Sequence, residues 1–195
     1  MEDKHYKLRE DLSIEFEGRI LYRIEALKDL PQHNVKKGDI GGFVESYDNL
    51  SGEAWVGEAA KVYNNAGVFG NAEVYGTSRV CDNARVHGNA DVYGNAKVFG
   101  DAEVFEDAEV YDNSWVFDNA KVYGDAQVFG YALVCDNAKV SENAKVSENA
   151  QVYGDAVVCD DAWVFENAWV FENAWVYGDS VVDGDDRVLG NARVC

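Results

Sequence analysis

Basic side chains are scarce in this sequence. Its 195 residues include 17 Lys and Arg against 36 Asp and Glu, which gives a formal net charge of −19 at pH 7. Such an excess of negative charge repels phosphate groups. We therefore expect no direct binding to nucleic acid, no attachment to anionic membranes and no phosphate-rich cofactor, and we expect partners that are neutral or basic.

Long hydrophobic segments are also missing. Residues 1–5 lack the apolar core of a signal peptide, and no later stretch approaches the roughly 18 continuous apolar residues that span a bilayer. The sequence therefore predicts a soluble, cytoplasmic protein. Cysteine is limited to four residues, and with 47% hydrophobic residues the chain can form one substantial core without a disulfide framework.

What the sequence does contain is a repeat of six residues. The 144 residues from Gly52 to Cys195 divide into 24 hexads without an insertion or a deletion, and every hexad has Val at its fifth position. The third position is Ala in 20 hexads, and the other four have Ser78, Ser114, Ser180 and Asp186 there. A period kept this strictly is typical of a solenoid, in which each repeat buries its apolar side chains by stacking on its neighbours.

The spacing within the hexad favours strands. Alternate residues of a strand point the same way, so Ala and Val at positions three and five face inward, while positions four and six face outward. In an α-helix, a period of six would spread the valines over three stripes around the axis. Positions one and two, often Gly, Asp or Glu followed by Asn, are predicted to form corners, where Gly and Asn tolerate positive φ.

Three hexads would close a triangular coil of 18 residues, which gives eight coils and a rod about 38 Å long. Each buried Val contributes roughly 1.5–3 kcal/mol, so we expect folding to need no cofactor and no metal. The cysteines all occupy the sixth position. Cys81 and Cys135 fall three coils apart, and Cys159 and Cys195 two coils or roughly 10 Å apart, which is too far for a disulfide or a shared metal ion.

Residues 92–97 read Val-Tyr-Gly-Asn-Ala-Lys and show the repeated motif, Val-x-x-Asn-Ala-x. This motif resembles the hexapeptide repeat of the left-handed parallel β-helix, familiar from bacterial acyltransferases, and the resemblance covers 144 of the 195 residues. It implies an all-β, single-stranded, left-handed solenoid, and the hand rests on the resemblance alone. Residues 35–44 and 49–51 also resemble the lead-in of uncharacterised bacterial and phage hexapeptide-repeat proteins, some of them labelled acetyltransferases.

The first 51 residues follow a different pattern. Residues 12–16 and 19–24 alternate apolar and polar side chains around Glu17 and Gly18, which is typical of a β-hairpin. We expect residues 1–51 to form a small β cap on a solenoid domain at residues 52–195. A cap is needed because a bare solenoid end is a template for further strands.

The sixth position of the hexad carries an aromatic residue in 14 of the 24 hexads. Rings that lie 18 residues apart, such as Tyr75, Tyr93, Tyr111 and Phe129, are predicted to stack coil upon coil, although such a row could also serve as a platform for a ligand.

His87 occupies this same sixth position and is the only histidine of the solenoid. The acyltransferases that the repeat resembles use a histidine base, so His87 is the one candidate catalytic residue. Those enzymes also carry loops that interrupt the repeat and build pockets, and this repeat has none. We therefore favour a second interpretation, in which the imidazole replaces one ring of an aromatic row.

Acidic residues gather at the predicted corners. One column, the acidic ridge, places an acid on each of six successive coils: Asp82, Asp101, Asp118, Asp136, Asp155 and Glu172. A second acidic column runs from Glu106 to Asp179. These acids form either a solvated edge that resists aggregation or a surface for a basic partner, including one that recognises the DNA backbone.

Tryptophan appears at the outward fourth position of the seventh coil, once on each face. These residues and the rings two positions later define the Trp girdle: Trp163, Trp169, Trp175, Phe165, Phe171 and Tyr177. Exposed Trp and Tyr are typical of interface hot spots, so the girdle is predicted to bind a protein partner or another copy of the chain. Alternatively, each Trp covers the coil beside it. In the last coil Asp186 replaces an inward Ala, which predicts a stop to end-to-end growth.

Three functions are open at this stage. The unbroken hexads favour a non-catalytic binding or scaffold protein that docks a partner, or forms a homo-oligomer, through the Trp girdle and the acidic ridge. His87 alone favours an acyltransferase. The acidic ridge would also suit an inhibitor that imitates nucleic acid. Ice binding is set aside because Thr77 is the one threonine of the solenoid.

Overall fold

The computed structural model describes residues 4–195, so residues 1–3 of the expected cap lie outside it. The described chain consists of β strands and two short 3₁₀ helices, η1 (Pro31–His33) and η2 (Tyr47–Asn49). No helix within residues 4–195 is long and apolar enough to cross a membrane.

An antiparallel hairpin begins the described chain. Strands β1 (Tyr6–Phe16) and β2 (Arg19–Ala26) pair around Glu17 and Gly18, which both have positive φ, at 51° and 73°. A third strand, β3 (Ile40–Val44), pairs antiparallel with β2.

Beyond β3 the chain winds through short strands, each made of positions four and five of one hexad. The strands of successive hexads belong in turn to three parallel sheets, and each strand pairs with those 18 residues before and after it. Face 1 holds β5 (Lys61–Val62), β8 (Arg79–Val80), β11 (Lys97–Val98), β14 (Trp115–Val116), β17 (Leu133–Val134), β20 (Gln151–Val152), β23 (Trp169–Val170) and β26 (Arg187–Val188). Face 2 holds β4 (Trp55–Val56), β7 (Glu73–Val74), β10 (Asp91–Val92), β13 (Glu109–Val110), β16 (Gln127–Val128), β19 (Lys145–Val146), β22 (Trp163–Val164) and β25 (Val181–Val182). Face 3 holds β6 (Gly67–Val68), β9 (Arg85–Val86), β12 (Glu103–Val104), β15 (Lys121–Val122), β18 (Lys139–Val140), β21 (Val157–Val158), β24 (Trp175–Val176) and β27 (Arg193–Val194). The predicted β-solenoid of eight stacked parallel coils is confirmed.

The interior of the solenoid is filled by the third and fifth positions of the hexads, as predicted. The valines from Val56 to Val176 are fully buried and form one continuous core with the alanines between them. The inward serines are satisfied locally: the hydroxyl of Ser78 donates to the carbonyl of Tyr75 at 2.7 Å. This arrangement removes the polar cost of burying a hydroxyl.

The corners use the left-handed region of backbone space. The first residue of every hexad has positive φ, and half of these residues are glycine. The second residue ties successive coils together, since the amide of Asn119 donates to the side-chain oxygen of Asn137 at 3.1 Å and Asn137 donates to Asp155 at 3.0 Å. Within residues 4–195 no residue at the second position has positive φ, so the asparagines there contribute to the corner through these side-chain bonds rather than through the left-handed backbone.

Stacking begins before the first regular hexad. Val44 in β3 pairs with Val62, and Leu50 forms a bridge with Val68, so a partial coil joins the hairpin to the rod. Because one apolar core runs from Tyr6 through this partial coil into the valines, the division of the chain at residue 52 stays a prediction.

The third positions of the eighth coil are exposed. Asp186, which takes the place of an inward Ala, is exposed, and so is Ala192 at the same position of the next hexad. No strand within residues 4–195 stacks on this coil, so its third positions meet solvent. The role of Asp186 in stopping growth stays a prediction.

Candidate functional site

The aromatic rows stack as predicted. The ring centroids of Tyr75 and Tyr93 are 4.9 Å apart, and those of Tyr93 and Tyr111 are 4.8 Å apart, with ring planes within 4° of parallel. Phe99 and Phe117 form a second row with the same spacing, 4.9 Å. At this separation the rings contact each other and leave no room for a planar ligand between them.

His87 belongs to a third row. Its imidazole lies between the rings of Phe69 and Phe105, at centroid distances of 4.6 and 5.2 Å and within 9° of parallel. Burial lowers the pKa of His87, which favours a neutral ring. The position matches the interpretation that the imidazole replaces one aromatic ring, and both of its faces are occupied by stacking.

The cysteines are free thiols. Burial raises the pKa of Cys81 and of Cys159, and it raises that of Cys135 to about 11. A protonated thiol is a weak nucleophile and a weak metal ligand. Within residues 4–195 no group of three or more His, Cys, Asp or Glu side chains is arranged to hold a metal ion.

The acidic ridge forms one column along a corner, and most of its carboxylates are hydrogen-bonded within that corner. Asp82 and Asp136 each accept a bond from the backbone N–H of a glycine in the next coil, at 3.3 and 3.0 Å. Asp101 and Asp155 each accept one from an asparagine amide, at 2.9 and 3.0 Å. Asp101, Asp118, Asp136 and Asp155 also line one open groove. These acids join successive coils and still present a continuous negative surface.

The Trp girdle surrounds the seventh coil, with Trp163 on face 2, Trp169 on face 1 and Trp175 on face 3. Trp163 and Trp175 are 40% and 42% exposed, whereas Trp169 is half-buried.

The sequence allowed two interpretations of the girdle, a contact surface for a partner and a cover for the neighbouring coil. Each agrees with part of its geometry. Trp163 donates its indole N–H to the hydroxyl of Ser147 at 3.0 Å, and Trp169 meets the ring of Tyr153 edge-on at 6.3 Å. In both pairs the indole covers the side chain 16 residues earlier, in the sixth coil. The other side of each ring is open to solvent or lies under an arginine.

Two girdle tryptophans lie under an arginine, and the third has a lysine as its strand neighbour; outside the girdle, Lys97 lies 4.2 Å from the ring centroid of Trp115. The guanidinium groups of Arg187 and Arg193 lie 4.7 and 5.5 Å from the ring centroids of Trp169 and Trp175, and Lys145 is the strand neighbour of Trp163. None of the three girdle cations takes part in an ion pair within residues 4–195. Their charges are available to a partner.

Sequence reasoning missed how the faces differ in charge. On face 2 the outward residues of three successive coils are Glu73, Asp91 and Glu109. Burial, followed by the charges of Glu73 and Glu109, raises the pKa of Asp91 to about 6. On face 1 the outward residues from Lys61 to Arg187 include no acid. Comparing every eighteenth residue of the sequence would have revealed both rows.

The sequence also offered no indication of a role for His33. This histidine lies in η1, between the hairpin and the first coil, and its side chain reaches the acidic row of face 2 at Glu73, 3.2 Å away. No sequence signal predicts this contact, because it joins two residues with different local patterns.

Comparison with known protein families identifies a repeat model. A family model described as the YdcK β-solenoid repeat matches residues 150–166, a segment of the sixth and seventh coils that includes Trp163. No curated protein matches the chain. The match supports a β-solenoid repeat protein, and the comparisons do not extend it to the hexapeptide-repeat acyltransferases.

Proposed function

We propose that this chain is a non-catalytic, cytoplasmic scaffold protein that associates with further copies of itself, with the Trp girdle of one copy contacting the acidic ridge of another. The observation that carries the proposal is that three outward tryptophans surround a single coil, and that two of them lie under an arginine that forms no ion pair within residues 4–195. Trp and Arg are the residues most enriched in interface hot spots.

The chain itself offers a complementary surface. With 36 acidic residues against 17 basic ones, the negative surface that such cations would meet on a second copy is abundant. The acidic ridge adds apolar groups beside its charges, since Asp118 directly follows Phe117 of a stacked row. A Trp and Arg pair that meets an acid beside a ring gains both apolar burial and charge complementarity.

The regularity of the rod suits a scaffold. Its 24 hexads run without an inserted loop, and parallel pairing in three sheets makes the coils one stiff body. A stiff body loses little conformational entropy on association, which favours assembly through small contact surfaces.

Sedimentation velocity tests the proposal. We expect the purified chain to gain mass with concentration at about 50 mM salt and to lose part of this association at about 500 mM, because ion pairs are screened. Replacing Trp163, Trp169 and Trp175 together by Lys should abolish association. Trp115→Lys is the matched control, since Trp115 is 39% exposed and has Lys97 at 4.2 Å from its ring centroid, but lies outside the girdle.

The ridge is tested in the same way. Asp101→Asn with Asp118→Asn should weaken association, whereas Asp112→Asn with Glu148→Gln, on another corner, should have a smaller effect. A chain that stays monomeric at about 100 μM would contradict the proposal, and so would association that all these variants leave unchanged.

Two other outcomes would favour the alternative functions. Acetyl transfer from acetyl-CoA that His87→Ala abolishes would indicate an acyltransferase. Salt-sensitive capture of a purified DNA-binding protein by a monomeric chain, weakened by the ridge substitutions and not by the girdle substitutions, would indicate a nucleic-acid mimic.

A further inference from the structure

The cap loop, residues Leu30–Val35, closes against the N-terminal end of the solenoid. Leu30 and Val35 exchange two backbone hydrogen bonds, of 2.9 and 3.2 Å, and both side chains are buried in the main core. Between them, η1 carries Gln32 and His33 to the edge of face 2. The loop is therefore anchored by apolar residues at its base and by polar residues at its tip.

His33 at the tip lies between two hydrogen-bond acceptors. Its Nδ1 is 3.2 Å from the carboxylate Oε2 of Glu73, its Nε2 is 2.9 Å from the backbone carbonyl oxygen of Glu53, and its side chain is 4% exposed. A carboxylate and a carbonyl only accept hydrogen bonds, whereas a neutral imidazole has one N–H and one lone pair. Only the protonated ring, with two N–H groups, satisfies both acceptors.

Loss of the proton would leave one of the two acceptors of His33 without a donor. In a neutral His33, one ring nitrogen would direct its lone pair at an oxygen lone pair of Glu73 or Glu53. At 4% exposure there is little access for water to separate the two groups. Because an unsatisfied buried polar group lowers stability, the loop tip is held chiefly when the ring is charged.

The charged groups that face His33 from the solenoid are acidic. Glu73 bonds to the ring, Asp91 follows one coil further along face 2, and Asp107 lines the same recess at the adjoining corner. Glu109 continues the row beyond Asp91. No basic side chain of these coils lines the recess within residues 4–195.

The charged groups on the cap side do not offset the negative charge that surrounds His33. Lys28 lies closest to the Glu53 carboxylate, which it bonds at 2.7 Å, and Gln32 bonds the same carboxylate at 3.3 Å. Lys36 pairs with Asp29. Directly before β1, the ring of His5 bonds the carbonyl of Ala54 at 2.8 Å, and burial lowers the pKa of His5.

These surroundings decide the proton affinity of His33. Burial alone would lower its pKa, but the hydrogen bond and charge of Glu73, the carbonyl of Glu53 and the charge of Asp91 outweigh burial and hold the pKa above 6.5.

We propose that His33 is a pH-sensitive latch: the protonated ring fastens the cap loop to Glu53 and Glu73 on the solenoid, and loss of the proton releases the loop tip. The inference is independent of self-association. The folded chain binds this proton more tightly than the unfolded chain, so the contribution of the latch is complete below about pH 6.5 and is lost as the pH rises through the folded pKa. The loop is therefore closed below about pH 6.5 and loosens as the pH rises through the folded pKa of His33.

Titration of the histidines by NMR gives the first test, because the chain has only three. His33 should titrate highest, and His5 and His87 should titrate below it, since burial lowers the pKa of both. Glu73→Gln should lower the pKa of His33 by about one unit or more, a tenfold loss of proton affinity. Glu109→Gln, in the same row but without contact to His33, is the matched control and should have a smaller effect.

Hydrogen exchange gives the second test. After correction for the intrinsic pH dependence of exchange, the protection of the tip amides of His33 and Asn34, which donate to the carbonyls of Leu30 and Pro31 at 3.1 Å, should fall by up to about tenfold for each unit of pKa shift as His33 deprotonates. In His33→Gln the protection should not change with pH. If that variant does not fold, Glu73→Gln and the titration still decide. The proposal is overturned if His33 titrates at or below His87, or if protection in the unaltered chain is independent of pH.

Discussion

The indole N–H of Trp163 donates a hydrogen bond to the hydroxyl of Ser147, 3.0 Å away in the preceding coil. Ser147 interrupts the aromatic row that ends with Tyr111 and Phe129, and its side chain is fully buried. Trp163 covers this gap and packs against Phe165 at a centroid distance of 4.5 Å. One girdle tryptophan therefore completes the surface of the rod and also leaves part of its ring exposed.

Trp163→Ala tests the covering role. We expect a loss of about 1–2 kcal/mol of unfolding free energy, because the substitution exposes Phe165 and Ser147. Urea denaturation measures this loss. Trp175→Ala is the control, since Trp175 has similar exposure but no hydrogen bond of this kind, and we expect it to cost less. Equal losses in the two variants would contradict the covering role of Trp163.

His87 offers a test of the aromatic row. His87→Phe should keep or raise stability because a phenyl ring continues the stack between Phe69 and Phe105. His87→Ala should lower the unfolding free energy by about 1 kcal/mol, since it removes two ring contacts. Thermal and urea unfolding of both variants provide the measurement. Loss of stability in His87→Phe comparable to that in His87→Ala would mean that the imidazole has a role other than stacking.

A substitution of Glu142 tests whether positive φ at the corners costs stability. Glu142 has φ of 59° and accepts a hydrogen bond from the backbone N–H of Asp160 at 3.1 Å, while a side-chain hydrogen bond with the Asp160 carboxyl, followed by its charge, raises the pKa of Glu142. Glu142→Gly should raise stability by about 1 kcal/mol, because glycine adopts positive φ without the usual cost of a side chain.

The reverse substitution one coil earlier provides the control. Gly124 has φ of 73°, and a Cβ there would lie 2.7 Å from the backbone nitrogen of Glu142. Gly124→Ala should therefore lower stability by more than about 1 kcal/mol. A stabilising Gly124→Ala, or a destabilising Glu142→Gly, would show that side-chain bonds rather than backbone strain govern these corners.

Asp91 predicts an unusual dependence of stability on pH. Its folded pKa, about 6, is raised above the ordinary value of 3.8 by burial and by Glu73 and Glu109. The proton that the folded chain holds on Asp91 contributes its full stabilisation below about pH 3.8. This contribution is lost as the pH rises through about 6. Asp91→Asn should therefore raise the melting temperature more at pH 7.5 than at pH 4. Asp125→Asn, at an exposed corner, should show no such difference between the two values of pH.

The hexad alone determined the solenoid. Positions three and five of each hexad, as in Ala96 and Val98, point to the same side of a strand, and a third of the strands then fall on each face. The corner at positions one and two follows from residues that accept positive φ, such as Gly94 and Asp112. These features depend on neighbouring residues and on a strict period, and both can be read directly from a sequence.

The stacked rows were also predictable, because a coil of 18 residues places Tyr75 over Tyr93 once the three-sided coil is assumed. The same step places the acids of the ridge in one column.

Only the tertiary structure decided how the outward side chains pair. Trp163 lies on Ser147, 16 residues earlier, because its side chain leans toward the preceding coil, and strand spacing does not specify that direction. His33 meets Glu73 across 40 residues because the cap loop packs its apolar base into the end of the solenoid core. The repeat determined which face each side chain occupies, and packing between coils and against the cap decided which residues it contacts.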